Sequence, residues 1–341
     1  MNKLFLLLTL CWVTAVGCDD SEIGLGGTGG MAGTGGVAGT GGVGGSGGVV
    51  GTGGSGGAGG EAGTGGSGVQ CTTPQAMLRC NKVLNIAHRG GRRNRPEHTL
   101  LAYDQALVDG ADVLELDVHE TSDGVLVVMH DDTVDRTTNC SGAIKEMTLA
   151  ELRDCDAGYN FSPDGGATHP YRDTGLMVPT MEEVFDRYPD TPFVIEIKQA
   201  DPSIVDHFVE VIREYEVADK MIGAAFSDDV LAELRAAGPE IPTSTGVNET
   251  LEFWTKSFGE IDPTYDPPGE FLQVPTQYTG IDVLHPGFVP RAHELDMFVH
   301  IWTINDEEEM RFLIETYGID GILTDDPPLL TTVINELGVG D

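Results

Sequence analysis

From about Cys80 onward, short apolar segments typical of strands alternate with segments typical of helices. This order predicts a parallel sheet, because parallel strands are joined by helical crossover connections. About eight strand–helix units in roughly 270 residues favour a (β/α)8 TIM barrel over a doubly wound sheet. The predicted strands are Val83–Ala87, Val113–Val118, Phe193–Ile197, Met221–Phe226, Pro242–Gly246, Gly280–Leu284, Phe298–Ile304 and Gly321–Thr324.

The helices between these strands are predicted from their first residues. Ser227 is a predicted N-cap, and acidic residues or proline occupy several first turns. Two longer stretches, Thr133–Pro179 and Glu249–Tyr278, are predicted as loops over or beside the mouth of the barrel. No Gly-x-Gly-x-x-Gly or Walker-type loop follows the first strand, which argues against a nucleotide site. The predicted helices are Pro96–Val108, Asp228–Ala237, Asp306–Tyr317 and Pro328–Leu337.

The N-terminal residues have the pattern of an export signal. Lys3 precedes the apolar run Leu4–Val16, which is too short to span a membrane. Residues 1–17 are therefore a predicted signal peptide. The run ends Ala15-Val16-Gly17-Cys18, which resembles a bacterial lipobox, so Cys18 is expected to carry a lipid that anchors the chain in the cell envelope. An ordinary signal peptide with an incidental Cys18 is the alternative.

Residues 18–70 are predicted to be a flexible tether. Between Gly24 and Gly68 the sequence repeats Gly-Thr-Gly-Gly and Gly-Ser-Gly-Gly, with little apolar surface to offset the ordering entropy of glycine. Collagen is excluded, because the strict three-residue period and the prolines are missing. A single barrel domain is expected over residues 71–341.

The charge of the chain limits its partners. It has 19 Lys and Arg against 55 Asp and Glu, a formal net charge of −36. Nucleic acid is therefore not an expected partner, since its binding depends on Lys and Arg contacts with phosphate. An anionic substrate would need a local cationic pocket or a bound metal ion, and no protein partner is inferred.

Four cysteines remain for disulfides after Cys11 in the signal and Cys18 are set aside. Three connectivities are open, and nearest-neighbour pairing of Cys71 with Cys80 and of Cys140 with Cys155 is the simplest. A zinc site of all four cysteines would normally have closer C-x-x-C spacing, which is absent from the sequence.

Acidic residues follow a period of two at the ends of the predicted strands. Glu115 and Asp117 lie on one side of the second strand, and Glu196 lies near the end of the third main strand. Because buried carboxylates are costly without a cation, these three predict a site for one divalent cation, Ca²⁺ or Mg²⁺. A structural alternative is an ion-pair network with Arg89 and Lys198.

The Asp123-Gly124 pair between alternating segments predicts a hairpin with a two-residue turn. This register places His130 directly opposite Asp117, on the same face of the sheet. The hairpin therefore predicts that His130 lies beside the carboxylates.

Phosphodiester cleavage needs a base for the nucleophile and an acid for the leaving alkoxide, and His88 and His130 are the predicted pair. Arg89 and Lys198 are predicted to hold the phosphate, and Trp302 to line the pocket. The other histidines are interpreted as ordinary core or surface residues: His98, His119, His169, His207, His285, His293 and His300.

These motifs, in order and spacing, resemble the glycerophosphodiester phosphodiesterase family. The similarity spans about Asn81 to Leu330, and no single motif is decisive by itself. The motifs are His88-Arg89-Gly90, Pro96-Glu97-His98-Thr99, Glu115-Leu116-Asp117-Val118, His130-Asp131, Pro179-Thr180-Met181-Glu182-Glu183, Glu196-Ile197-Lys198, Trp302-Thr303-Ile304-Asn305 and Gly321-Ile322-Leu323-Thr324-Asp325-Asp326-Pro327.

The resemblance implies a TIM barrel of the phospholipase C-like phosphodiesterase type, with a small insertion after the His130 strand. It implies hydrolysis of glycerophosphodiesters to glycerol 3-phosphate and an alcohol, with the acid–base, metal and phosphate roles on the residues named above. One departure is His98, where the family usually has Asn, and this leaves the role of Glu97 open.

Two alternatives remain from the sequence. One is a phospholipase-type relative on the same barrel, of the sphingomyelinase D, lysophospholipase D or phosphatidylinositol phospholipase C kind. The other is a surface binding module that has kept the barrel and lost catalysis, against which the complete acid–base and metal set argues.

Overall fold

The computed structural model describes residues 73–80 and 82–340. The predicted signal peptide, the lipid anchor at Cys18, the tether and Cys71 lie outside these residues and stay predictions. Within the described ranges, none of the helices combines the length and the apolar character that a membrane crossing requires.

Parallel strands form a barrel, as predicted. The order in the sheet is β5-β4-β2-β1-β10-β9-β6. Single parallel bridges from Gly223 to Thr243 and from Ser244 to Phe271 connect its two ends, so residues 243–244 take the place of the eighth strand. The described strands are β1 (Leu84–Ala87), β2 (Val113–Glu120), β3 (Leu126–Val128), β4 (Phe193–Ile197), β5 (Met221–Ala224), β6 (Phe271–Val274), β7 (Gln277–Tyr278), β8 (Ile281–Asp282), β9 (Phe298–Ile301) and β10 (Gly321–Thr324).

One predicted barrel strand is wrong. Within the predicted segment Gly280–Leu284, Ile281 and Asp282 form β8, which pairs antiparallel with β7 outside the barrel. The barrel strand is β6, which pairs in parallel with β9 and lies inside the predicted loop Glu249–Tyr278. A four-residue segment with three apolar residues, which follows a proline-rich segment, carries too little periodicity to identify a strand.

Helices connect the barrel strands. Ser227 caps α6 as predicted, since its hydroxyl accepts a hydrogen bond from the Val230 amide. The helix predicted from Pro96 begins only at Leu100, because Thr99 is its N-cap. The α-helices are α1 (Pro74–Met77), α2 (Leu100–Val108), α3 (Leu149–Arg153), α4 (Met181–Arg187), α5 (Val205–Glu214), α6 (Asp228–Ala237), α7 (Val247–Lys256), α8 (Phe288–His293), α9 (Glu307–Phe312) and α10 (Pro327–Leu337).

The alternation of β2 determines which of its side chains point into the barrel. Leu114, Leu116 and Val118 belong to the hydrophobic cluster that also contains residues of the surrounding helices. Successive side chains of a strand point to opposite faces, so Glu115 and Asp117 point into the barrel. The same alternation in β4 directs Glu196 inward.

The hairpin of β2 and β3 exists, but its register differs by one residue from the prediction. Gly124 has φ +78° and its amide donates to the Thr121 carbonyl, which gives a three-residue loop in place of a two-residue turn. Asp117 is therefore paired with Met129, whose amide donates to the Asp117 carbonyl at 2.9 Å. His130 lies one residue beyond the predicted position.

The insertion between β3 and α4 has a small core of its own and a disulfide. Ile144, Leu152 and Val178 are among its buried apolar residues. Cys140 and Cys155 are bonded, as predicted. The pairing of Cys71 with Cys80 stays a prediction, because Cys71 lies outside the described residues.

Candidate active site

Inward-facing carboxylates gather where β2 and β4 run side by side. Glu115 and Asp117 are 4% and 1% exposed. Asp117 is the register partner of Glu196 across the two strands. The three predicted metal ligands therefore lie on neighbouring inward positions of the barrel.

The structure brings together a set of possible cation ligands in which His98 takes the place of the predicted Glu196. Single ligand atoms of His98, Glu115 and Asp117 all lie within 4.8 Å of one another. In addition, Oδ1 of Asp117 is buried and has no hydrogen-bond partner among the described residues. An unsatisfied buried carboxylate oxygen is costly, so this donor set fits a divalent cation.

Basic groups also contact these acids, as in the structural alternative. Nζ of Lys198 lies 3.2 Å from Oδ1 of Asp117 and 3.0 Å from Oε2 of Glu196. The backbone amide of Arg89 donates to Oε2 of Glu115 at 2.6 Å. The Arg89 guanidinium is only 2% exposed and lies 3.6 Å from Asp117, so it faces acids within the barrel.

The pKa values of the carboxyl groups reflect their burial and the charges around them. Burial and the nearby charge of Asp117 raise the pKa of Glu115 well above its usual value. Burial also raises the pKa of Glu196, against the effect of Lys198. Burial opposes ionisation of Asp117 too, but Lys198 and His98 hold its pKa well below the usual range. A bound cation would favour the ionised form of all three.

His88, directly after β1, is hydrogen-bonded to an acid of the last sequence motif for which no role was predicted. Nδ1 of His88 lies 2.7 Å from Oδ1 of Asp325. Asp325 also accepts hydrogen bonds from Nε of Arg92 and Nδ2 of Asn305, both at 2.9 Å. Burial lowers the pKa of His88, although Asp325 opposes this effect. Asp325 thus fixes the orientation of the imidazole.

His130 has an acidic partner of its own in the next residue. Its Nδ1 lies 2.7 Å from Oδ1 of Asp131. Arg136, from the insertion, donates to both oxygens of Asp131 at 2.8 and 3.0 Å and to both oxygens of Glu97 at 2.8 and 2.7 Å. His130 is among the groups whose charge opposes the rise in the pKa of Glu196 that burial causes. The insertion therefore contacts the mouth of the barrel through Arg136.

His98, interpreted from the sequence as an ordinary core or surface residue, is buried beside the carboxylates. It is 3% exposed, its Nε2 lies 2.8 Å from Oδ2 of Asp117, and its Nδ1 lies 2.7 Å from the Tyr103 hydroxyl. Burial lowers its pKa to about 4. The signal in the sequence was its position directly after Glu97, where the family pattern usually has Asn.

Two aromatic side chains lie together at the mouth. Trp302 follows β9 and packs edge-to-face against Phe226, which follows β5, with ring centroids 5.7 Å apart. Phe226 is 42% exposed, and Nζ of Lys198 lies 5.7 Å from its ring centroid. Trp302 and Phe226 therefore form one aromatic wall, which Lys198 borders, and the role of Trp302 in lining the pocket stays a prediction.

The family model and the first related proteins identify the same family. The model of the glycerophosphoryl diester phosphodiesterase family matches residues 88–329. A glycerophosphodiester phosphodiesterase of Caldanaerobacter subterraneus subsp. tengcongensis is 34% identical over 263 residues, covering 75% of this chain and 100% of that protein. One from Bacillus subtilis is 31% identical over 267 residues, with 75% and 88% covered. A lysophospholipase D of Rattus norvegicus is 23% identical over 276 residues, with 74% and 86% covered.

Solved structures share the barrel. A glycerophosphoryl diester phosphodiesterase domain from Mycobacterium tuberculosis superposes with a TM-score of 0.66 at 23% identity, covering 75% of this chain and 99% of that one. A phosphodiesterase of Oleispira antarctica, in complex with sn-glycerol-3-phosphate, has a TM-score of 0.58 at 24% identity, with 73% and 96% covered. The (β/α)8 fold is therefore confirmed.

Proposed function

The chain belongs to the glycerophosphodiester phosphodiesterase family, and from this premise we propose that it hydrolyses glycerophosphodiesters to sn-glycerol 3-phosphate and an alcohol. The observation that carries the proposal is the pair of histidine–aspartate contacts, His88 with Asp325 and His130 with Asp131, at the mouth that holds the carboxylate cluster. Two oriented histidines are what an acid–base cleavage of a diester requires.

The carboxylates of Glu115, Asp117 and Glu196 are the proposed holders of one divalent cation. When bound, the cation supplies positive charge that stabilises the phosphoryl oxygens of the transition state. Lys198, with its ammonium group between Asp117 and Glu196, is the proposed phosphate contact from the protein. An all-oxygen ligand set suits Ca²⁺ or Mg²⁺.

His88 and His130 divide the two proton transfers. One accepts a proton from the nucleophile, either water or a hydroxyl of the substrate that forms a cyclic phosphate, as its oxygen bonds to phosphorus. The other donates a proton to the alkoxide as its bond to phosphorus breaks. Asp325 and Asp131 each hold Nδ1 of their histidine, which fixes the orientation of the two imidazole rings. Trp302 lines the side of the pocket that receives the alcohol.

The proposal is tested by measuring glycerol 3-phosphate release from glycerophosphocholine and glycerophosphoethanolamine, with Ca²⁺, with Mg²⁺ and with a chelator. Release is expected only with metal. The variants His88→Ala and His130→Ala should each lose at least about 100-fold in kcat while remaining folded. The matched control is His293→Ala, because His293 also contacts an aspartate, Asp320, but lies away from the mouth. Near-normal turnover in either mouth variant would refute its catalytic role.

A second candidate is the release of headgroup alcohol from lysophospholipids. Two observations favour it: the exposed aromatic side chain of Phe226 beside Trp302, and the lysophospholipase D among the relatives. An acyl chain could pack on that wall, whereas glycerophosphodiesters lack one. Choline release from lysophosphatidylcholine that exceeds release from glycerophosphocholine at equal concentration would favour this second reaction.

The enzyme is further proposed to be exported and held at the cell envelope by a lipid on Cys18. The support is the sequence alone, namely the apolar run that ends at Gly17-Cys18 and the glycine-rich segment that follows it. Membrane fractionation of cells that express wild type and Cys18→Ser tests this, and retention of the variant in the membrane fraction would refute the anchor.

A further inference from the structure

We propose that His98 is itself a ligand of the catalytic cation, through Nε2, and that this nitrogen donor makes the site prefer a first-row transition-metal ion such as Mn²⁺ over Ca²⁺. The inference rests on the proposed function, because it concerns the same cation. Its geometric basis is the cluster of His98, Glu115 and Asp117, whose ligand atoms lie within 4.8 Å of one another. The carboxylate set predicted from the sequence contains no nitrogen.

The imidazole of His98 is held in place from both sides. Its Nδ1 lies 2.7 Å from the Tyr103 hydroxyl, and its backbone amide donates to the Arg89 carbonyl at 2.9 Å. With the side chain buried, Nε2 is the ring nitrogen that faces the carboxylates, at 2.8 Å from Oδ2 of Asp117. Histidine ligands of metals commonly have the second nitrogen fixed in this way.

The Tyr103 hydroxyl allows either tautomer of His98. It can donate to Nδ1, in which case Nε2–H donates to Asp117 and no cation is needed. It also lies 3.4 Å from the Glu115 carbonyl, so it can donate there and accept Nδ1–H. In this second arrangement the lone pair of Nε2 faces the Asp117 carboxylate, which is favourable only when both contact a cation.

Asp117 supplies an independent observation. It is 1% exposed, and its Oδ1 accepts no hydrogen bond from any described residue, while Lys198 offers a single ammonium group at 3.2 Å. The carboxylate therefore has unused acceptor capacity beside Nε2 of His98. A cation at this point would be bound by both nitrogen and oxygen.

The ligand types determine the preference. Ca²⁺ takes oxygen ligands almost exclusively, whereas imidazole together with carboxylate suits Mn²⁺, Co²⁺ and Zn²⁺. Adding Nε2 to the set should therefore strengthen binding of Mn²⁺ relative to Ca²⁺.

The test compares wild type with His98→Asn, loaded with Mn²⁺ or Ca²⁺. Asn suits this position, because residue 98 has φ +55° and Asn tolerates the left-handed region. Pulsed electron paramagnetic resonance of the Mn²⁺ protein should show the nitrogen coupling of a directly bound imidazole, and His98→Asn should lose it. Calorimetry should show that the preference for Mn²⁺ over Ca²⁺ falls by about tenfold or more. The control variant His130→Asn should keep the coupling.

Should His98→Asn fail to fold, ¹⁵N labelling of the histidines shows whether a histidine nitrogen binds Mn²⁺, and the same label in His88→Ala and in His130→Asn tests the other two histidines of the mouth. Mn²⁺ binding without nitrogen coupling, or an unchanged preference in His98→Asn, would overturn the ligand role and leave the proposed function intact. Failure of the proposed function has a different signature, since glycerophosphodiester hydrolysis would then be absent or insensitive to chelator whether or not nitrogen coupling is seen. A folded wild type that binds no Mn²⁺ would also overturn the inference.

Discussion

Nδ1 of His88 lies 2.7 Å from Oδ1 of Asp325, so the histidine after the first barrel strand is hydrogen-bonded to the aspartate after the last barrel strand. Closure of the barrel brings them together. Ala87 and Thr324 are register partners at the ends of β1 and β10. His88 and Asp325 are the residues that directly follow these two strands. The contact is therefore a direct product of the fold.

Asp325→Asn should lower kcat by about 10²-fold or more, with a smaller effect on KM. The amide would accept fewer hydrogen bonds and could hold the other tautomer of His88, which places the proton on the wrong nitrogen. Steady-state kinetics and the melting temperature are the measurements. Asp320→Asn is the matched control, because Asp320 contacts His293 away from the mouth and should change stability only. Equal losses of activity in the two variants would contradict the positioning role.

Asp325 should also make the fold sensitive to acid. Burial alone would raise its pKa, but the hydrogen bond and charge of His88, with Arg92 and Asn305, lower it to about 2 from the usual 3.8. A carboxyl whose pKa is lower in the folded chain stabilises the fold above its unfolded pKa, and this contribution disappears as the pH falls towards the folded pKa. Denaturant titrations should show wild type losing about 2 kcal/mol from this group between about pH 4 and about pH 2. In Asp325→Asn this loss should be missing, and an identical acid dependence would refute the assignment.

Arg136 is expected to position His130 through Asp131. Arg136→Ala removes the hydrogen bonds to both Asp131 and Glu97, so kcat should fall by about tenfold with KM nearly unchanged. Arg136→Lys keeps the charge without the two-pronged geometry and should be intermediate. Arg213→Ala removes a comparable surface pair with Glu240 and should leave kcat unchanged. A loss confined to KM would argue for a role in substrate binding instead.

The sequence was sufficient for the barrel and for most of the acids at its mouth. Period-two spacing in β2 predicted that Glu115 and Asp117 share a face, and the packing of Leu114, Leu116 and Val118 in the cluster on the opposite face confirms it. The acid partner of His88 could not be derived in the same way, since it depends on which strands are neighbours after closure. The loop between β2 and β3 shows a similar limit, because Asp-Gly is compatible with both two- and three-residue loops and the difference moves His130 by one position.

The surroundings of a single residue such as His98 are hard to predict from the sequence. A lone histidine before a helix is usually ordinary, and only the approach of its loop to β2 places Nε2 beside Asp117. β6 was missed for another reason: four residues after a proline-rich segment, three of them apolar, are too few to show a period. Long-range contacts, and not local propensity, determine the position of His98 and the formation of β6.

Removal of metal should destabilise the fold as well as stop turnover. Without a cation, burial and the charge of Asp117 disfavour ionisation of Glu115, as its raised pKa shows. A cation at 100 times its Kd would add about 2.7 kcal/mol to the free energy of unfolding. Chelator should therefore lower the melting temperature of wild type, and Asp117→Ala should abolish the response to added cation. A melting temperature that is insensitive to both chelator and cation would contradict a site at these residues.

The Cys140–Cys155 disulfide should keep the insertion in contact with the mouth. It closes a 15-residue separation, for which the loss of chain entropy in the unfolded state corresponds to about 3 kcal/mol. The small core of the insertion has few buried apolar residues beside the barrel, so we expect the effect to be local. The double variant Cys140→Ser/Cys155→Ser should be cut by protease within residues 133–179 faster than wild type, while the barrel stays folded. Because Arg136 lies in the same segment, kcat should fall together with this protection, and reduction of wild type should reproduce both effects. Faster proteolysis with an unchanged kcat would show that Arg136 does not depend on the disulfide for its contact with Asp131.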